Sequence, residues 1–339
     1  MTTCMRVSPW SNLGVGGALR LAGAILLFLA CATVQAQQTA RQFRIGVVSP
    51  ISADATVAAL RQGLAEAGYV EGKNLVVVAR FAEGRLDRLP QLVNEVIGQK
   101  VDVLVVGSTV GALAAKQATT TVPIVFAGLT DPVGAGIVAS LARPGANITG
   151  VTFGVGAAGF GGKWVQLLHE LVPNVTHVAV LSNSGSPLMA QLLGDIRTAA
   201  QSLDIRVDVV EAANAAQLDR ALAAIGSSSA QGIIVPSDPL FVSSRARITQ
   251  FAAGRRLPGM YFTKLFADAG GLIAYGSSLE DSYRKAATFV DKILKGARPA
   301  DLSIEQPTSF ELVINLRAAR ALGITVPRSL LLRADHVIE

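Results

Sequence analysis

The feature that most constrains the fold of this chain is a regular alternation of short apolar segments with amphipathic ones. In the first half of the chain, segments 43–48, 101–106 and 122–126 are predominantly apolar and rich in β-branched residues, as buried strands are. Stretches 54–67 and 109–118 place apolar residues at helical spacing between them. Strands that alternate with helices form βαβ units, so the sequence predicts a parallel sheet covered by helices.

The same alternation continues along the chain and returns in its second half. The remaining predicted strands are 74–80, 177–181, 205–210, 231–235 and 271–275. The remaining predicted helices are 86–97, 133–141, 187–202, 215–225, 240–254 and 279–295. Two series of strands and helices therefore follow one another, which indicates an α/β protein with more than one sheet.

Length and a glycine-rich segment together predict two lobes. The chain has 339 residues, more than the roughly 100–200 residues of an ordinary domain. Residues 150–162 contain six glycines in thirteen residues and lie between the two series of strands. We therefore predict two Rossmann-like lobes with parallel sheets, connected at this segment and at two further crossings near 262–270 and 302–309. The alternative is one large doubly wound sheet with an ordinary surface loop at 154–162.

In the two-lobe arrangement, each lobe combines a continuous series of strands and helices with a later segment that returns to it. The first lobe comprises residues 42–152 plus about 270–302. The second lobe comprises residues 153–269 plus about 303–339. The chain then crosses between the lobes three times, which makes a three-segment hinge.

The N-terminal segment 1–36 has the composition of a secretory signal peptide. Arg6 and Arg20 precede an uncharged apolar run at 21–34, and residues 34–36 (VQA) place small residues before a cleavage point at Gln37. The run is shorter than the about 20 residues that a transmembrane helix needs. We predict export to the periplasm. The alternative is a lipoprotein anchored through Cys31.

Removal of residues 1–36 would change the charge and the cysteine content of the mature chain, and both argue against certain functions. It removes two arginines and no acidic residue, so the formal net charge of +6 falls by two to +4. This mild charge, with no run of more than two basic residues, does not favour nucleic-acid binding. It also removes Cys4 and Cys31, which leaves no thiol for a disulfide, a zinc site or a cysteine nucleophile.

The sequence motifs predict no cofactor, no metal and no catalytic residue. Gly154, Gly156 and Gly159 have the spacing of a dinucleotide-binding motif, but the acidic residue expected about 20 positions later is missing. The three histidines lack the spacing of a metal site: His169, His177 and His336. A Ser-His-Asp triad remains possible, because its members need not be adjacent in sequence.

Polar residues follow several predicted strands at their carboxyl ends, where ligands bind in open α/β sheets. In order along the chain these residues are Ser49, Ser108, Thr109, Asp131, Asn183 and Asp238. Free N–H groups at the helix start that Thr109 opens would suit a carboxylate or a phosphate. Asp131 and Asp238 both precede a proline, so each could bind an ammonium group or simply cap a helix. Polar strand ends in both halves favour a ligand cleft between two lobes.

Longer segments of the chain resemble those of a known family. In order they are 68–74 (GYVEGKN), 121–126 (TVPIVF), 131–136 (DPVGAG), 140–150 (SLARPGANITG), 238–241 (DPLF), 270–276 (GGLIAYG) and 310–315 (FELVIN). Together they are similar to the ABC-transporter substrate-binding family that includes tryptophan/tyrosine-type receptors. The resemblance extends from about Arg44 to the C-terminus. It implies a type I periplasmic-binding-protein fold, with two lobes, three crossings and a cleft that closes on its ligand.

The resemblance also implies a ligand and its contacts. Better-characterised members of that family bind an aromatic amino acid. The helix start at Thr109 would then bind the ligand carboxylate, and Asp131 or Asp238 would bind its ammonium group. Three aromatic residues are candidates for the wall of the side-chain pocket, although each could equally be a core residue: Phe153, Tyr261 and Tyr275.

The predicted function is that of a monomeric solute-binding protein of an ABC importer. It would bind a small molecule, an aromatic amino acid being favoured, and dock on a permease in the inner membrane without making or breaking a bond. One alternative is a ligand-sensing receptor for a membrane kinase or a chemoreceptor. The other is an exported hydrolase that uses the same cleft.

Overall fold

In a computed structural model, the structure describes residues 42–51, 54–154, 160–184, 189–307 and 309–339. The predicted signal peptide, with Cys31, lies outside the described residues. So do Gly156 and Gly159 of the glycine-rich segment. Among the described residues, no helix is both long and apolar enough to cross a membrane.

The first sheet has five parallel strands in the order β2-β1-β3-β4-β5. Its strands are β1 (Phe43–Ser49), β2 (Leu75–Phe81), β3 (Val103–Val106), β4 (Ile124–Leu129) and β5 (Ile148–Thr152). The intervening helices are α1 (Asp54–Glu66), α2 (Leu89–Gly98) and α3 (Thr109–Ala118), with a 3-10 turn at Leu86–Arg88. Strands β1, β3 and β4 are buried over most of their length, because helices cover both faces of the sheet.

The second sheet has seven strands in the order β12-β11-β10-β9-β8-β6-β7. Its strands are β6 (His177–Ser182), β7 (Arg206–Glu211), β8 (Gly232–Val235), β9 (Gly259–Tyr261), β10 (Ile273–Gly276), β11 (Glu311–Asn315) and β12 (His336–Ile338). Neighbouring strands are parallel except for β10 and β11, which are antiparallel.

Nine further helices lie in the described part of the second half of the chain. They are α4 (Phe160–Leu171), α5 (Met189–Gln201), α6 (Ala215–Ser227), α7 (Pro239–Ser243), α8 (Arg245–Gly254), α9 (Lys264–Asp268), α10 (Leu279–Leu294), α11 (Leu316–Leu322) and α12 (Arg328–Leu331), with a 3-10 turn at Pro299–Asp301. The predicted α/β class with two parallel-sheet lobes is confirmed, and the single large sheet is wrong.

Helix α10 belongs to the first lobe although it follows β10 of the second sheet. Its side chains Tyr283, Phe289 and Val290 share a core with residues of β1, β3 and α1. The sequence placed residues 270–302 together in the first lobe. Residues 273–276, however, form β10 and pair with β9 and β11, so the crossing lies after them, at about 277–278. The segment 262–270 instead contains the short helix α9, which connects β9 to β10 within the second lobe.

Hydrogen bonds tie the three crossings to one another. Ser277 in the second crossing donates its hydroxyl to the carbonyl oxygen of Phe153 in the first, at 2.5 Å. Glu305 in the third crossing accepts from the amide of Thr152 at 2.9 Å and donates its own amide to the oxygen of Gly150 at 3.0 Å. The three connections between the lobes therefore form one bonded unit.

Two helix predictions differ from the structure. The predicted helix 133–141 is a series of turns, because Asp131 caps a turn at Gly134 and Gly136 adopts a positive φ of 65°. The predicted helix 240–254 is two helices, α7 and α8, with a break at Ser244. At residues 133–141, local turn chemistry overrides the apolar periodicity.

Candidate functional site: the cleft between the lobes

Residues from the carboxyl ends of both sheets line one cavity between the lobes. The first lobe contributes the last residue of β1, Ser49, and Gly128 within β4. It also contributes residues that follow β1, β3 and β4: Pro50, Ile51, Gly107, Ser108, Thr109 and Thr130. The second lobe contributes Ser237, Asp238, Pro239, Val242 and Phe262, and the crossings contribute Phe153 and Leu279. This is the position at which α/β sheets bind ligands.

The cleft is nearly filled by these side chains. Its cavity has a volume of about 50 Å³, enough for a few water molecules at roughly 10–15 Å³ each. Small-molecule sites typically measure roughly 300–1,000 Å³. The lobes must therefore separate, or wall side chains must move, before a molecule of amino-acid size can enter.

The start of α3 presents neutral hydrogen-bond donors to the cleft. Ser108 caps this helix by accepting from the amide of Gly111 at 3.1 Å, and it is almost fully buried. No hydrogen bond among the described residues engages the hydroxyl of Thr109, which lines the cavity beside it. Together with the positive end of the helix dipole, these groups suit a carboxylate.

Ser49 is held in place from beneath by a residue of α10. The buried hydroxyl of Tyr283 hydrogen bonds to Ser49, and burial raises the pKa of Tyr283. A β-carbon at Gly107 would collide with that hydroxyl and would lie 3.2 Å from the Ser49 oxygen. Gly107 is therefore required for the approach of Tyr283 to the floor of the cleft.

The second lobe presents one buried carboxylate to the cleft. Asp238 is 5 % exposed. Its Oδ1 accepts from the amide of Leu240 at 2.8 Å and its Oδ2 accepts from the Asn183 amide at 2.9 Å. Burial raises the pKa of Asp238 despite these bonds. The described residues that line the cleft include no lysine, arginine or histidine, so a cationic group of the ligand would complete the charge balance.

Apolar side chains form the remaining wall. Phe153 and Phe262 meet edge to face with ring centroids 5.2 Å apart. The ring of Phe153 also lies against Gly128, where a β-carbon would collide with it. Leu279 and Val242 complete this side. The wall suits the apolar part of a ligand whose charged groups lie at Thr109 and Asp238.

The structure brings five of the nine predicted site residues together in the cleft. These are Ser49, Ser108, Thr109, Phe153 and Asp238. Asn183 does not line the cavity, but its side-chain amide donates a hydrogen bond to Asp238. Asp131 is turned to its own loop, where Oδ1 accepts from the amide of Gly134 at 2.8 Å, and it does not line the cavity.

The two predicted tyrosines lie outside the cleft. Tyr261 points into the second lobe and stacks on Phe266 with ring centroids 4.8 Å apart. Successive side chains of a strand point to opposite faces, so it is the next residue, Phe262, that reaches the cleft. Tyr275 stacks on Phe160 at 5.7 Å beneath the hinge.

Ten of the fifteen residues that line the cleft were not among the predicted site residues, and four of these ten show why. Thr130, Ser237 and Phe262 lie next to predicted positions and could have been found from the strand ends alone. Leu279 could not, because it enters the cleft from the start of α10, after a crossing whose position the sequence placed too early.

A Ser-His-Asp chain does occur, at the opposite end of the second sheet. His177 contacts the Ser229 hydroxyl at 3.1 Å and Asp208 at 2.8 Å. Arg206 binds the same carboxylate with two hydrogen bonds, and this holds the pKa of Asp208 below its usual range. None of the three lines the cleft. These hydrogen bonds connect β6 and β7 near their amino ends. They lie outside the cleft and do not support a hydrolase that uses it.

Comparison with known proteins identifies the family. Residues 44–338 match the family model described as ABC transporter substrate binding protein. The chain belongs to this family. It is thus a substrate-binding protein of an ABC transporter, and such proteins act outside the cytoplasmic membrane.

Similar proteins agree with this assignment. A solved structure of a conserved domain protein from Vibrio cholerae has a TM-score of 0.79 and 30% identity, over 88% of this chain and all of that one. An ABC domain in complex with L-Trp from Streptococcus pneumonia has a TM-score of 0.78 and 25% identity over the same shares. A tyrosine-binding protein from Clostridioides difficile is 24% identical over 263 residues, which cover 78% of this chain and 75% of the relative. The second of these proteins was solved in complex with L-Trp, and the third is named for tyrosine binding.

Proposed function

We propose that this protein is the periplasmic receptor of an amino acid importer and that it binds its ligand as a zwitterion. The observation that carries the proposal is the pairing of Asp238, a single buried carboxylate, with the neutral donors at the start of α3 across the cleft. The ligand ammonium group binds Asp238, and its carboxylate binds at Thr109.

The apolar wall favours a ligand with a large apolar side chain. Phe153 and Phe262 offer aromatic edges and faces for such a group. Relatives named for tyrosine binding, or solved with L-Trp, support an aromatic amino acid as the first choice.

The receptor works by hinge closure and carries out no chemical step. Ligand bound between the lobes favours the closed form, which a membrane permease then recognises. We propose that the receptor is a monomer that acts after its signal peptide has been removed. The bonded crossings at Phe153, Ser277 and Glu305 support a defined bending axis rather than free lobe motion.

A ligand screen on residues 37–339 tests this function. The protein is unfolded and refolded to remove copurified ligand, and its thermal midpoint is measured with Trp, Tyr, Phe, branched amino acids, nucleosides and small amides. A ligand at 100 times its dissociation constant adds about 2.7 kcal/mol to the free energy of unfolding, which raises the midpoint by several degrees.

The intrinsic fluorescence of Trp164 gives a second readout. This residue is the one tryptophan downstream of residue 36, and its ring lies 6.4 Å from that of Phe262 in the cleft wall. We expect amino acids with apolar side chains to shift both signals. A response to nucleosides or amides alone would overturn the amino acid assignment while leaving a binding protein. No response to any compound would count against the receptor.

A further inference from the structure

A groove lies in the second lobe and shares no lining residue with the cleft. Helices α8 and α11 form its walls, and the beginnings of β9 and β10 form its floor. Its volume is about 510 Å³, which is within the roughly 300–1,000 Å³ of small-molecule sites. Its size is therefore sufficient for a ligand of its own.

The lining of the groove is mainly apolar. The apolar side chains are Ala252, Ala253, Leu257, Leu272, Ala318, Ala321, Leu322 and Ile338. Alanines lie on both walls, and three leucines, Leu257, Leu272 and Leu322, also line the groove. This lining resembles the apolar body of a typical ligand pocket, in which a few polar groups fix orientation.

Tyr261 places its hydroxyl at the floor of the groove. The side chain is 1 % exposed, and its ring lies across Gly259 and Gly271, where a β-carbon would collide with it. The hydroxyl lies beside Gly259, which also lines the groove. The two glycines therefore leave the space that the aromatic ring occupies.

The hydroxyl of Tyr261 has no hydrogen-bond partner among the described residues. Burial raises the pKa of Tyr261, so the group stays protonated and can donate. Among the described residues, the one fully enclosed side-chain atom without a partner is His169 Nδ1, so the Tyr261 oxygen is accessible from the groove that this residue lines. It can therefore donate to an accepting atom of a molecule that enters the groove.

The other polar groups of the floor are already paired. The hydroxyl of Thr249 donates to the oxygen of Ala269 at 2.8 Å. The Asn315 side chain donates to Ala267 at 2.9 Å and accepts from Ala318 at 3.0 Å. Among these groups, the Tyr261 hydroxyl is thus the one left to recognise a ligand.

We propose that this groove is a second binding site, which takes a neutral, compact apolar molecule carrying one hydrogen-bond-accepting oxygen, such as a small ketone or ester. The apolar body packs between α8 and α11, and the oxygen accepts from Tyr261. Two charged side chains also line the groove: Asp268 is held by Lys264 at 2.8 Å, and Arg317 is exposed on α11. A neutral ligand fits because both residues are exposed to solvent, so neither is a buried charge that needs a counterion from the ligand. The site does not depend on the function proposed for the cleft.

Two probes of nearly equal shape test the hydrogen bond. Acetophenone has the accepting oxygen and ethylbenzene lacks it. In methyl NMR spectra of the leucine-labelled full chain, acetophenone should shift Leu257, Leu272 and Leu322 saturably. Tyr261→Phe should weaken acetophenone by about three- to tenfold, the usual net worth of one hydrogen bond, and leave ethylbenzene unchanged.

A blocking variant tests the location independently of Tyr261. Ala321 is exposed and lines the groove, so Ala321→Trp should fill it and abolish the shifts. Ala224→Trp, at an exposed position of α6 that does not line the groove, is the matched control and should change nothing. The proposal is overturned by an absence of saturable shifts, by equal binding to the Ala321→Trp protein, or by equal weakening of both probes in Tyr261→Phe.

Discussion

The two lobes face the cleft with the same local arrangement but with opposite chemistry. In each lobe a helix begins just after a parallel strand, and its N-cap residue lies in the cleft. The cap is a hydroxyl, Ser108, in the first lobe and a carboxylate, Asp238, in the second. A neutral cap leaves the helix start free to attract an anion, whereas a charged cap holds a negative charge ready for a cation. One position in a repeated fold thus sets the polarity of the whole site.

The largest expected effect comes from removing the charge at the second cap. Asp238→Asn keeps the shape of the side chain but leaves the ligand ammonium group without its counterion. Truncating one partner of a buried charge pair costs about 2–5 kcal/mol, so amino acid affinity measured by calorimetry should fall about 30-fold or more. Asp131→Asn is the control, because that carboxylate caps a loop outside the cleft. Comparable losses in the two variants would contradict the assignment.

Giving both lobes a charged cap should weaken binding by repulsion. Serine and aspartate are about equally good N-caps, but Ser108 is almost fully buried, so Ser108→Asp should also lower the thermal midpoint, and affinity is measured below that midpoint on folded protein. The new carboxylate would repel the ligand carboxylate, and like charges at an interface cost several kcal/mol. We expect affinity to fall at least about tenfold. Unchanged affinity in the Ser108→Asp protein would place the ligand carboxylate elsewhere.

A third change targets the packing of Gly107 against Tyr283, next to the Ser108 cap. Gly107→Ala should destabilise the protein by about 1–3 kcal/mol, as overpacking does, because the new methyl group collides with the Tyr283 hydroxyl. Tyr283→Phe removes that hydroxyl, so the double variant should recover part of the loss in chemical denaturation. Simple additivity of the two changes would show that they do not interact.

The smallest expected effect is a dependence on pH. Burial raises the pKa of Asp238 above its value of about 3.9 in the unfolded chain. The folded state therefore binds this proton more tightly than the unfolded chain does. Without ligand, the contribution of Asp238 to the free energy of unfolding falls as the pH rises from about 3.9 through the raised pKa of the folded state. Ligand affinity runs the other way and falls on acidification, because the ammonium group needs the ionised form. Titrations of wild type and Asp238→Asn should differ in this window, and identical profiles would rule out the role of Asp238.

Much of the fold could be predicted from the sequence, because apolar strands and amphipathic helices carry strong local patterns. The site was harder, as Asp131 and Asp238 show. Both follow a strand and precede a proline. Asp131, however, is turned into its own loop and bonds to Gly134. Three residues earlier, Gly128 has a φ of 80° and packs against the ring of Phe153, which is distant in sequence. Such packing between distant segments leaves no trace in the local sequence.

Tyr261 and Phe262 show a second limit. The two aromatic residues are adjacent, and the strand that ends at Tyr261 is only three residues long. A shift of one residue in a strand exchanges the face on which every side chain lies. Boundaries read from sequence are uncertain by a few residues, so pattern alone could not decide which ring enters the cleft.

Phe153 has a consequence for how the receptor signals occupancy. Its ring lines the cleft, and its carbonyl oxygen accepts a hydrogen bond from Ser277, which precedes α10. In the proposed binding mode, the side chain of the ligand would therefore act on the bending axis directly, while its charged groups would act on the two helix caps. Two amino acids with equal affinity can thus leave the lobes at different final angles. If the permease recognises the closed shape of the receptor, then the affinity for a ligand and the efficiency of its transfer to the permease could change independently under selection.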